Sequence, residues 1–271
     1  MNILFVGGGN MANALIGGLI AQGWPAAGIA VVEIAEQARR ALSQRYGLKA
    51  HAQLPQSIPD EAIVLLAVKP QHMREVALAL RARIAGQLVV TIAAGIRTHD
   101  LARWLGGHQR LVRVMPNTPA LLRAGVSALY ATPAVGAADR RHASAVLAAV
   151  GPTLWVDRED LMDAVTAVSG SGPAYVFYVM EAMMQAAREL GLDEPAARLL
   201  TLETFHGAAL LARQGEEPPA VLRARVTSKG GTTERALRVL EEQGVRERMI
   251  LAVKQAAQRS RELGDELGRS E

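Results

Sequence analysis

Hydrophobic and polar positions alternate along the first half of the chain as strands and helices do in α/β proteins. Short, continuous apolar runs are typical of strands buried on both faces, and amphipathic stretches with helical periodicity separate them. The predicted strands are residues 3–6, 29–32, 62–68, 88–93, 111–115, 126–130 and 153–156, and the clearest predicted helices are 10–22, 36–46 and 139–150. This alternation predicts a doubly wound, Rossmann-like parallel sheet.

After about residue 157 the strand signals end and helical patterns dominate. A largely apolar helix is predicted over 175–190, with Pro173 at its start and Gly191 at its end. Further helices are predicted at 193–214, at 220–225, at 233–242 and at the end of the chain. A helix that is apolar on all sides, as 175–190 is, must be buried on all sides. The helical half of one chain is hardly large enough to bury it alone. We therefore expect this all-α half to pack against another subunit.

A glycine-rich motif connects the first predicted strand to the first predicted helix. Residues 7–12 read Gly-Gly-Gly-Asn-Met-Ala and match the pattern G-x-G-x-x-A. The first glycine permits a tight turn, the second lets the backbone approach a pyrophosphate, and the small last residue lets helix and strand pack closely. A purely structural glycine turn is the alternative. The order of strand, motif, helix and acid favours a dinucleotide-binding site, with phosphates at the helix N-terminus.

The acid in that order is Glu33, at the end of the second predicted strand. A carboxylate there accepts hydrogen bonds from the ribose hydroxyls of NAD. It would repel the 2′-phosphate of NADP by roughly 1–4 kcal/mol. In the alternative interpretation Glu33 is a solvated residue opening the next helix, and Arg39 or Arg40 receives a phosphate.

Three further loops follow strands at the edge where open parallel sheets bind ligands. Lys69, before Pro70, is one of only four lysines, and it contacts a ligand or is an ordinary surface lysine. Residues 93–95 are Ala-Ala-Gly, small enough for a flat ring to lie against the backbone. Asn117 lies in a loop stiffened by Pro116 and Pro119, where its amide bonds a nicotinamide or substrate, or merely belongs to a rigid turn.

A second polar constellation precedes a predicted helix in the all-α half. Residues 227–234 combine two glycines with several hydroxyl side chains, an arrangement suited to an anion. Ordinary capping by Thr232 or Thr233 would explain one of these hydroxyls. It requires neither Gly-Gly nor the other hydroxyls, so we favour a carboxylate site. Residues 169–175, Ser-Gly-Ser-Gly-Pro-Ala-Tyr, form either a similar site or a close contact between helix and loop.

Composition removes several classes of function. The absence of cysteine excludes disulfides, thiolate catalysis and cysteine metal sites, and we predict no metal site of any kind. The net charge of +4 comes from scattered arginines rather than a basic stripe, which argues against nucleic-acid binding. No apolar run reaches the roughly eighteen residues of a membrane helix, and the first residues do not resemble a signal peptide. We therefore expect a cytoplasmic protein that does not bind membranes.

Taken together, the motifs resemble the pyrroline-5-carboxylate reductase family in order and spacing. They lie at residues 7–12, 67–70, 93–95, 115–119, 169–175 and 227–233. The resemblance implies reduction of 1-pyrroline-5-carboxylate to L-proline with NAD(P)H, the last step of proline biosynthesis. It also implies a Rossmann domain, placed at 1–157, and an all-α substrate-binding and dimerisation domain, placed at 158–271. That second domain interlocks with its partner in a homodimer, and the family sometimes builds larger rings.

The resemblance also assigns site residues. The implied dinucleotide contacts are Val6, Gly7, Gly8, Gly9, Asn10, Met11, Ala67, Val68, Lys69, Pro70, Ala93 and Ala94, to which the strand-end analysis adds Glu33 and Asn117. The implied substrate-carboxylate contacts are Ser228, Gly230, Gly231, Thr232 and Thr233. Thr233 is the implied catalytic residue, hydrogen bonded to the ring nitrogen. Many relatives carry an Asn-Arg or Ser-Arg pair for the NADP phosphate where this chain has Glu33-Ile34, which favours NADH.

Two other functions fit the glycine motif less well. A dehydrogenase of the 3-hydroxyacid type uses a lysine or histidine on a helix at the domain junction, and residues 169–185 contain neither. A non-catalytic dinucleotide-binding interaction protein would have no need of the hydroxyl-rich loop at 227–233. None of the six histidines falls in a site loop, so we predict no histidine acid or base.

Overall fold

A single eight-stranded sheet forms the centre of the first half of the protein. The computed structural model describes residues 2–269. The strands are β1 (Ile3–Val6), β2 (Ile29–Val32), β3 (Lys49–His51), β4 (Ile63–Leu66), β5 (Leu88–Thr91), β6 (Leu111–Met115), β7 (Ser127–Ala131) and β8 (Thr153–Trp155). Their order is β3-β2-β1-β4-β5-β6-β7-β8, and all neighbours are parallel except β6 and β7. The predicted Rossmann-like sheet is confirmed, with one antiparallel pair that the pattern did not indicate.

Helices connect the strands and make up the second half. They are α1 (Asn10–Ala21), α2 (Glu36–Tyr46), α3 (Met73–Leu80), α4 (Thr98–Trp104), α5 (Ala137–Ala148), α6 (Leu161–Val165), α7 (Gly172–Glu189), α8 (Glu194–Gln214), α9 (Pro219–Arg225), α10 (Thr232–Glu242) and α11 (Val245–Arg269). Short 3₁₀ turns and one π turn, Thr166–Gly170, complete the described structure. The predicted elements are found in the predicted order, with ends displaced by a few residues at most, but strand β3 was not predicted.

Both faces of the sheet are buried, as the continuous apolar runs predicted. Along β1, Ile3 and Phe5 face one core together with residues of α1, α2 and α5. Leu4 and Val6 face a second core together with residues of α3 and α4. Every residue of β1, β4 and β5 is buried, so these strands have no polar face. This two-sided covering leaves the ends of the central strands as the place for a ligand.

The edge strand β3 was missed because it carries no apolar run. It contains only Lys49, Ala50 and His51, of which the first and last are exposed. It forms because the backbone of β2 offers hydrogen-bonding groups, with Val31 opposite Ala50 in the ladder. Pairing of the backbone, rather than burial of side chains, therefore decides the fold at this edge.

The described residues divide into two compact units. The first comprises residues 2–171 together with 255–269, and the second comprises residues 172–254. The single helix α11 therefore begins in the second unit and ends in the first. The functional boundary placed at 157/158 stays a prediction, because the compactness of one chain does not test which residues bind substrate or a second copy.

The second unit is helical and exposes much apolar surface. No residue of α7 is buried, and Phe177 and Leu199 are 58% and 61% exposed. The predicted start of α8 is confirmed by the carboxylate of Asp193, which accepts a hydrogen bond from the backbone N–H of Ala196 at 2.8 Å. A single chain thus leaves the apolar side chains of α7 uncovered, and a surface of this kind marks an interaction site.

A paired substitution in α1 tests the close contact between α1 and the end of α5. A Cβ at Gly18 would lie 2.3 Å from the carbonyl oxygen of Ala149, whereas a Cβ at Gly17 would meet only the Tyr46 hydroxyl at 2.9 Å. Both changes to alanine gain the same helix propensity. We expect Gly18→Ala to destabilise the protein by about 1–3 kcal/mol and Gly17→Ala by clearly less.

Urea unfolding at one fixed protein concentration measures the difference, since association shifts apparent stability. Equal midpoints for the two variants would mean that the backbone of residue 149 moves away at little cost.

Candidate functional site

The turn after β1 leaves no room for a side chain. Gly7 has φ +101°, and a Cβ there would lie 2.7 Å from the carbonyl oxygen of Ala67 and 3.0 Å from the Val68 side chain. Its backbone N–H donates to the carbonyl oxygen of Val32 at 2.8 Å. Position 7 therefore accepts only glycine without strain, and the structure brings this glycine together with the predicted residues at 67–68.

The N-terminus of α1 opens directly from that turn. Gly9 is the N-cap residue, no side chain caps the helix, and its first turn contains no acid. A Cβ at Gly9 would meet no atom within 4 Å, and both Gly9 and Asn10 are exposed. The unpaired N–H groups and the positive end of the helix dipole therefore face open space, which suits an anion such as a pyrophosphate.

The remaining strand-end residues continue the same edge of the sheet. The strand order reverses between β1 and β4, the kind of place where open α/β sheets bind ligands. Lys69 is exposed, precedes Pro70 and forms no ion pair with any described residue. On the loop after β5, Ala93 is buried and Ala94 is exposed. The edge therefore offers a cation and a small apolar surface beside the glycine turn.

Glu33 is bound to the glycine-rich loop rather than solvated. Its Oε2 accepts a hydrogen bond from the backbone N–H of Gly8 at 2.9 Å, and its Oε1 accepts from the N–H of Ala35 at 2.8 Å. Glu33 is therefore not free in solvent, but it is only half-buried and also bonds Ala35, the N-cap residue of α2, so its alternative place at the start of that helix is not contradicted. The carboxylate is fixed beside the motif, with lone pairs left for a further donor.

Two arginines follow Glu33, and the guanidinium groups of both already have hydrogen-bond partners within the protein. The Nη1 of Arg39 donates to the carbonyl oxygens of Glu33 and Ile34, each at 2.8 Å. Arg40 forms an exposed ion pair with Glu36 one turn earlier in α2. The guanidinium of Arg39 thus lies near the end of β2, where two backbone carbonyl oxygens fix its orientation.

Asn117 accepts a hydrogen bond within the protein that the sequence did not reveal. Its Oδ1 accepts from the backbone N–H of Val126 at 2.9 Å and so ties the proline-rich loop to the segment before β7. Its Nδ2 donates to no residue within 2–269. The side chain therefore holds a turn and also keeps two donors for a ligand, so both interpretations remain.

In the second unit, the loop before α10 is not capped as one interpretation supposed. Gly231 is the N-cap residue and no side chain caps the helix, so capping by Thr232 or Thr233 is wrong. These threonines occupy the first two helical positions, and their hydroxyls donate to no described residue. A Cβ at Gly231 would lie 2.6 Å from the Ser228 hydroxyl, so the glycine lets that hydroxyl fold over the loop.

Glu234 completes this loop and was missed by the sequence analysis. Its Oε2 accepts from the backbone N–H of Gly230 at 2.7 Å, and Gly230 has φ +75°. An acid three residues after an N-cap is the available signal, because such residues reach back to backbone donors. The contact fixes the shape of the loop and leaves the first-turn N–H groups and three hydroxyls for an external anion.

In the segment at 169–175, some residues fit a close contact between helix and loop and others fit a polar site. A Cβ at Gly170 would lie 2.3 Å from Cε of Met115, so this glycine permits a close contact. Ser169 bonds the carbonyl oxygen of Val165 at 3.0 Å within its own helical turn. The hydroxyl of Tyr175, in contrast, is buried without a hydrogen-bond partner in the described part of the chain. That orphaned group was not anticipated.

Neither a metal centre nor a membrane helix is found in the described structure. Between residues 2 and 269, no group of three or more histidine, aspartate or glutamate side chains could hold a metal ion. Over the same residues, no helix combines the length and the apolarity needed to span a bilayer.

Comparison with known proteins gives two family matches and whole-chain relatives. Residues 159–263 match the model described as pyrroline-5-carboxylate reductase dimerisation, and residues 2–95 match NADP oxidoreductase coenzyme F420-dependent. The pyrroline-5-carboxylate reductase of Pseudomonas aeruginosa is 47% identical over 98% of both chains. That of Haemophilus influenzae is 41% identical over 96% of this chain and 97% of its own.

Solved structures show the same fold. A pyrroline-5-carboxylate reductase from Coxiella burnetii aligns with a TM-score of 0.91 at 39% identity, covering 97% of this chain and 98% of its own. The Plasmodium falciparum enzyme with NADP bound aligns with a TM-score of 0.84 over the same shares at 24% identity, a likeness of fold alone.

The bond between Asn117 and Val126 generates a stability prediction. Asn117→Ala removes the acceptor of a backbone N–H, and we expect a loss of about 1–2 kcal/mol in the free energy of unfolding. Asn117→Asp keeps an acceptor oxygen and should recover most of that loss. Thermal or urea unfolding of the two variants checks this; equal destabilisation by both would show that the bond to Val126 is not the cause.

Proposed function

The chain belongs to the pyrroline-5-carboxylate reductase family, and we propose how its residues divide the work of that reaction. The protein reduces 1-pyrroline-5-carboxylate to L-proline with NAD(P)H, the last step of proline biosynthesis. The observation that carries the assignment of residues is the uncapped loop before α10, with its unpaired hydroxyls. Oxidation of NADH on addition of pyrroline-5-carboxylate, without activity on a 3-hydroxy acid, tests the function as a whole.

The dinucleotide is held by the first unit. Residues 6–11 surround the pyrophosphate, which binds the unpaired N–H groups at the open N-terminus of α1. Residues 67–70 line the turn next to Gly7, and the exposed cation of Lys69 faces a phosphate or ribose. Ala93 and Ala94 give the nicotinamide ring a flat surface, and the free amide donors of Asn117 bond its carboxamide. The close contact of Gly7 with residue 67 and the empty space at Gly9 support this placement.

We propose NADH as the preferred cofactor. Glu33 is fixed by two backbone N–H groups beside the glycine loop, so a negative charge stands where a 2′-phosphate would lie. The Arg39 guanidinium is oriented by the carbonyls of residues 33 and 34. A carboxylate within about 4 Å of an additional phosphate costs roughly 1–4 kcal/mol, which favours NADH over NADPH.

The substrate carboxylate binds in the second unit, on the loop before α10. Ser228 and Thr232 donate hydroxyl hydrogen bonds, and the N–H groups of the first turn add the favourable end of the helix dipole. Gly230 and Gly231 keep the loop free of side chains that would block an anion. Glu234 holds the loop in shape from within by accepting the N–H of Gly230.

Thr233 acts at the ring nitrogen. The reduced nicotinamide supplies the hydride that the imine carbon receives, and the nitrogen ends as a secondary amine. Hydride addition is easiest when the nitrogen is already protonated, so the protein needs orientation more than a strong acid. The half-buried Thr233 at the second position of α10 accepts a hydrogen bond from that N–H and keeps the ring in register.

The protein carries the family's dimerisation domain and forms homo-oligomers. We propose a homodimer formed through the helical second unit, which can assemble further into a ring. The exposed apolar side chains of α7, including Phe177 and Val176, support burial by a second copy. We propose the cytoplasm, where reduced nicotinamide cofactors are at hand, as the location.

Substitution of Thr233 tests its role. Thr233→Val keeps the shape and removes the hydroxyl, so we expect turnover to fall roughly tenfold to a hundredfold, the loss of one hydrogen bond to a charged group. Thr233→Ser keeps the hydroxyl and should stay near wild type. NADH affinity, measured by fluorescence titration, should change in neither variant. Unaltered turnover in Thr233→Val would remove Thr233 from the mechanism.

Substitution of Glu33 tests the cofactor preference. We expect the unmodified protein to have the higher kcat/KM with NADH, and Glu33→Ser to shift the NADH-to-NADPH ratio towards NADPH by about tenfold or more. The ratio matters because loss of the bond to Gly8 can weaken both cofactors. Glu36→Ser, at the neighbouring exposed acid, is the matched control and should leave the ratio unchanged. Higher kcat/KM with NADPH in the unmodified protein would contradict the assignment.

A further inference from the structure

Glu159 lies outside the sites described above, yet donors surround its carboxylate. Its Oε1 accepts from the backbone N–H of Thr98 at 2.7 Å and from Nη1 of Arg113 at 3.1 Å. Its Oε2 accepts from the hydroxyl of Thr98 at 2.5 Å. The partners come from α4 and β6, and Glu159 itself lies in the segment after β8, so one side chain joins three parts of the first unit.

Both partners need this carboxylate. Arg113 lies on a central strand with its side chain only 5% exposed, and a buried guanidinium requires a counter-ion. Thr98 is the first residue of α4, where the N–H has no partner within the helix and the dipole favours a negative charge. No other side chain caps α4 within the described structure. Glu159 thus fixes the point at which the chain enters α4.

That point is the end of the loop proposed to face the nicotinamide. Residues 93–95 lie in the loop between β5 and α4, two residues before the helix, and the N–H of Ala93 donates to the Thr91 hydroxyl at 3.3 Å. The loop is therefore held by β5 at its start and by Glu159 through Thr98 at its end. Ala94, its exposed member, lies between these two attachments.

The C-terminal part of α11 supports the third side of the loop. Gly95 has φ +75°, and a Cβ there would lie 2.9 Å from the Leu267 side chain. Arg97 pairs with Asp265 at 2.6 Å and donates to the carbonyl oxygen of Arg261 at 3.1 Å. The loop therefore packs directly on this helix, within the same compact unit.

The segment containing Glu159 is itself attached to α11. Asp163, one turn further along the chain, accepts from the Ser260 hydroxyl at 2.7 Å, and both residues are buried. A shift of this segment would thus be transmitted both to the entrance of α4 and to the helix that supports the loop.

We propose that Glu159 is a positioning residue for hydride transfer, holding the Ala93–Gly95 loop in the conformation on which the nicotinamide ring docks. The inference rests on the proposed role of Ala93 and Ala94 in cofactor binding. Hydride transfer is sensitive to the position of the ring, so a loop displaced by a fraction of an ångström weakens the cofactor and slows the reaction. Glu159 acts through Thr98 and touches no reacting atom.

Two adjacent acids provide the test. Glu159→Gln removes the charge and one acceptor, and we expect KM and Kd for NADH to rise roughly five- to tenfold and kcat to fall severalfold. The KM for pyrroline-5-carboxylate should change less than about twofold. Asp160→Asn makes the same charge change at the next residue, which is exposed and pairs only with Arg158, and should leave every constant unaltered.

A second pair of variants protects the test against misfolding. Thr98→Val removes the hydroxyl donor with little change in volume and should reproduce the rise in NADH Kd, whereas Thr98→Ser should restore the wild-type value. All constants are measured on the full-length oligomer, well below its melting temperature. If Glu159→Gln and Thr98→Val lower Tm but leave NADH Kd and KM at wild-type values, Glu159 is only structural and the proposal is wrong.

A separate variant tests the proposed function on which this inference rests. Ala94→Leu fills the exposed surface of the loop and should weaken NADH strongly. If it leaves NADH affinity unchanged, the loop is not the cofactor surface and the proposed function of these residues fails. If Ala94→Leu abolishes binding while Glu159→Gln has no effect on it, the loop assignment stands and only the role of Glu159 fails.

Discussion

The contact on which the rest of the structure depends is the approach of the β1–α1 turn to the end of β4. Only a glycine fits at position 7, because any Cβ would lie 2.7 Å from the carbonyl oxygen of Ala67. That contact fixes the direction in which α1 leaves the sheet and points its uncapped N-terminus over the place where strand order reverses. Two-sided burial of β1 and β4 makes the arrangement rigid, so the proposed anion site is formed before any ligand arrives.

Three of the loops proposed to bind ligands are each held by a glutamate that accepts a backbone N–H. Glu33 holds Gly8, Glu159 holds the first residue of α4, and Glu234 holds Gly230. A carboxylate beside an anion site lowers the positive potential of that site. Each glutamate therefore weakens the binding of an anion somewhat while it fixes the shape of the loop. Exposed lysines at 69 and 229 supply positive charge next to two of the loops. A reaction that needs orientation more than acid–base chemistry gains more from a fixed loop than it loses in anion affinity.

The features visible in the sequence were those carried by local patterns. Continuous apolar runs located β1, β2 and β6 to the residue, and glycine motifs indicated loops to which sites are proposed. The polar strand β3 and the antiparallel β7 depend on backbone pairing and on where the chain returns, which no local pattern records. The bond from Glu159 to Thr98 joins residues 61 apart, and nothing in either sequence neighbourhood indicates the other. Long-range hydrogen bonds of this kind appear only when the fold brings the partners together.

The helical second unit adds a constraint that the first does not share. Its helix α7 buries no residue in the single chain, while the loop bearing Thr233 belongs to the same unit. A unit with so little core of its own becomes more ordered when a second copy covers its apolar surface. If the loop at 228–233 binds the substrate as proposed, its rigidity depends on association, whereas the proposed dinucleotide loops are held by a sheet buried on both faces. The proposed homodimer would thus link assembly to catalysis through the second unit, while the residues proposed for the cofactor all lie in the first unit.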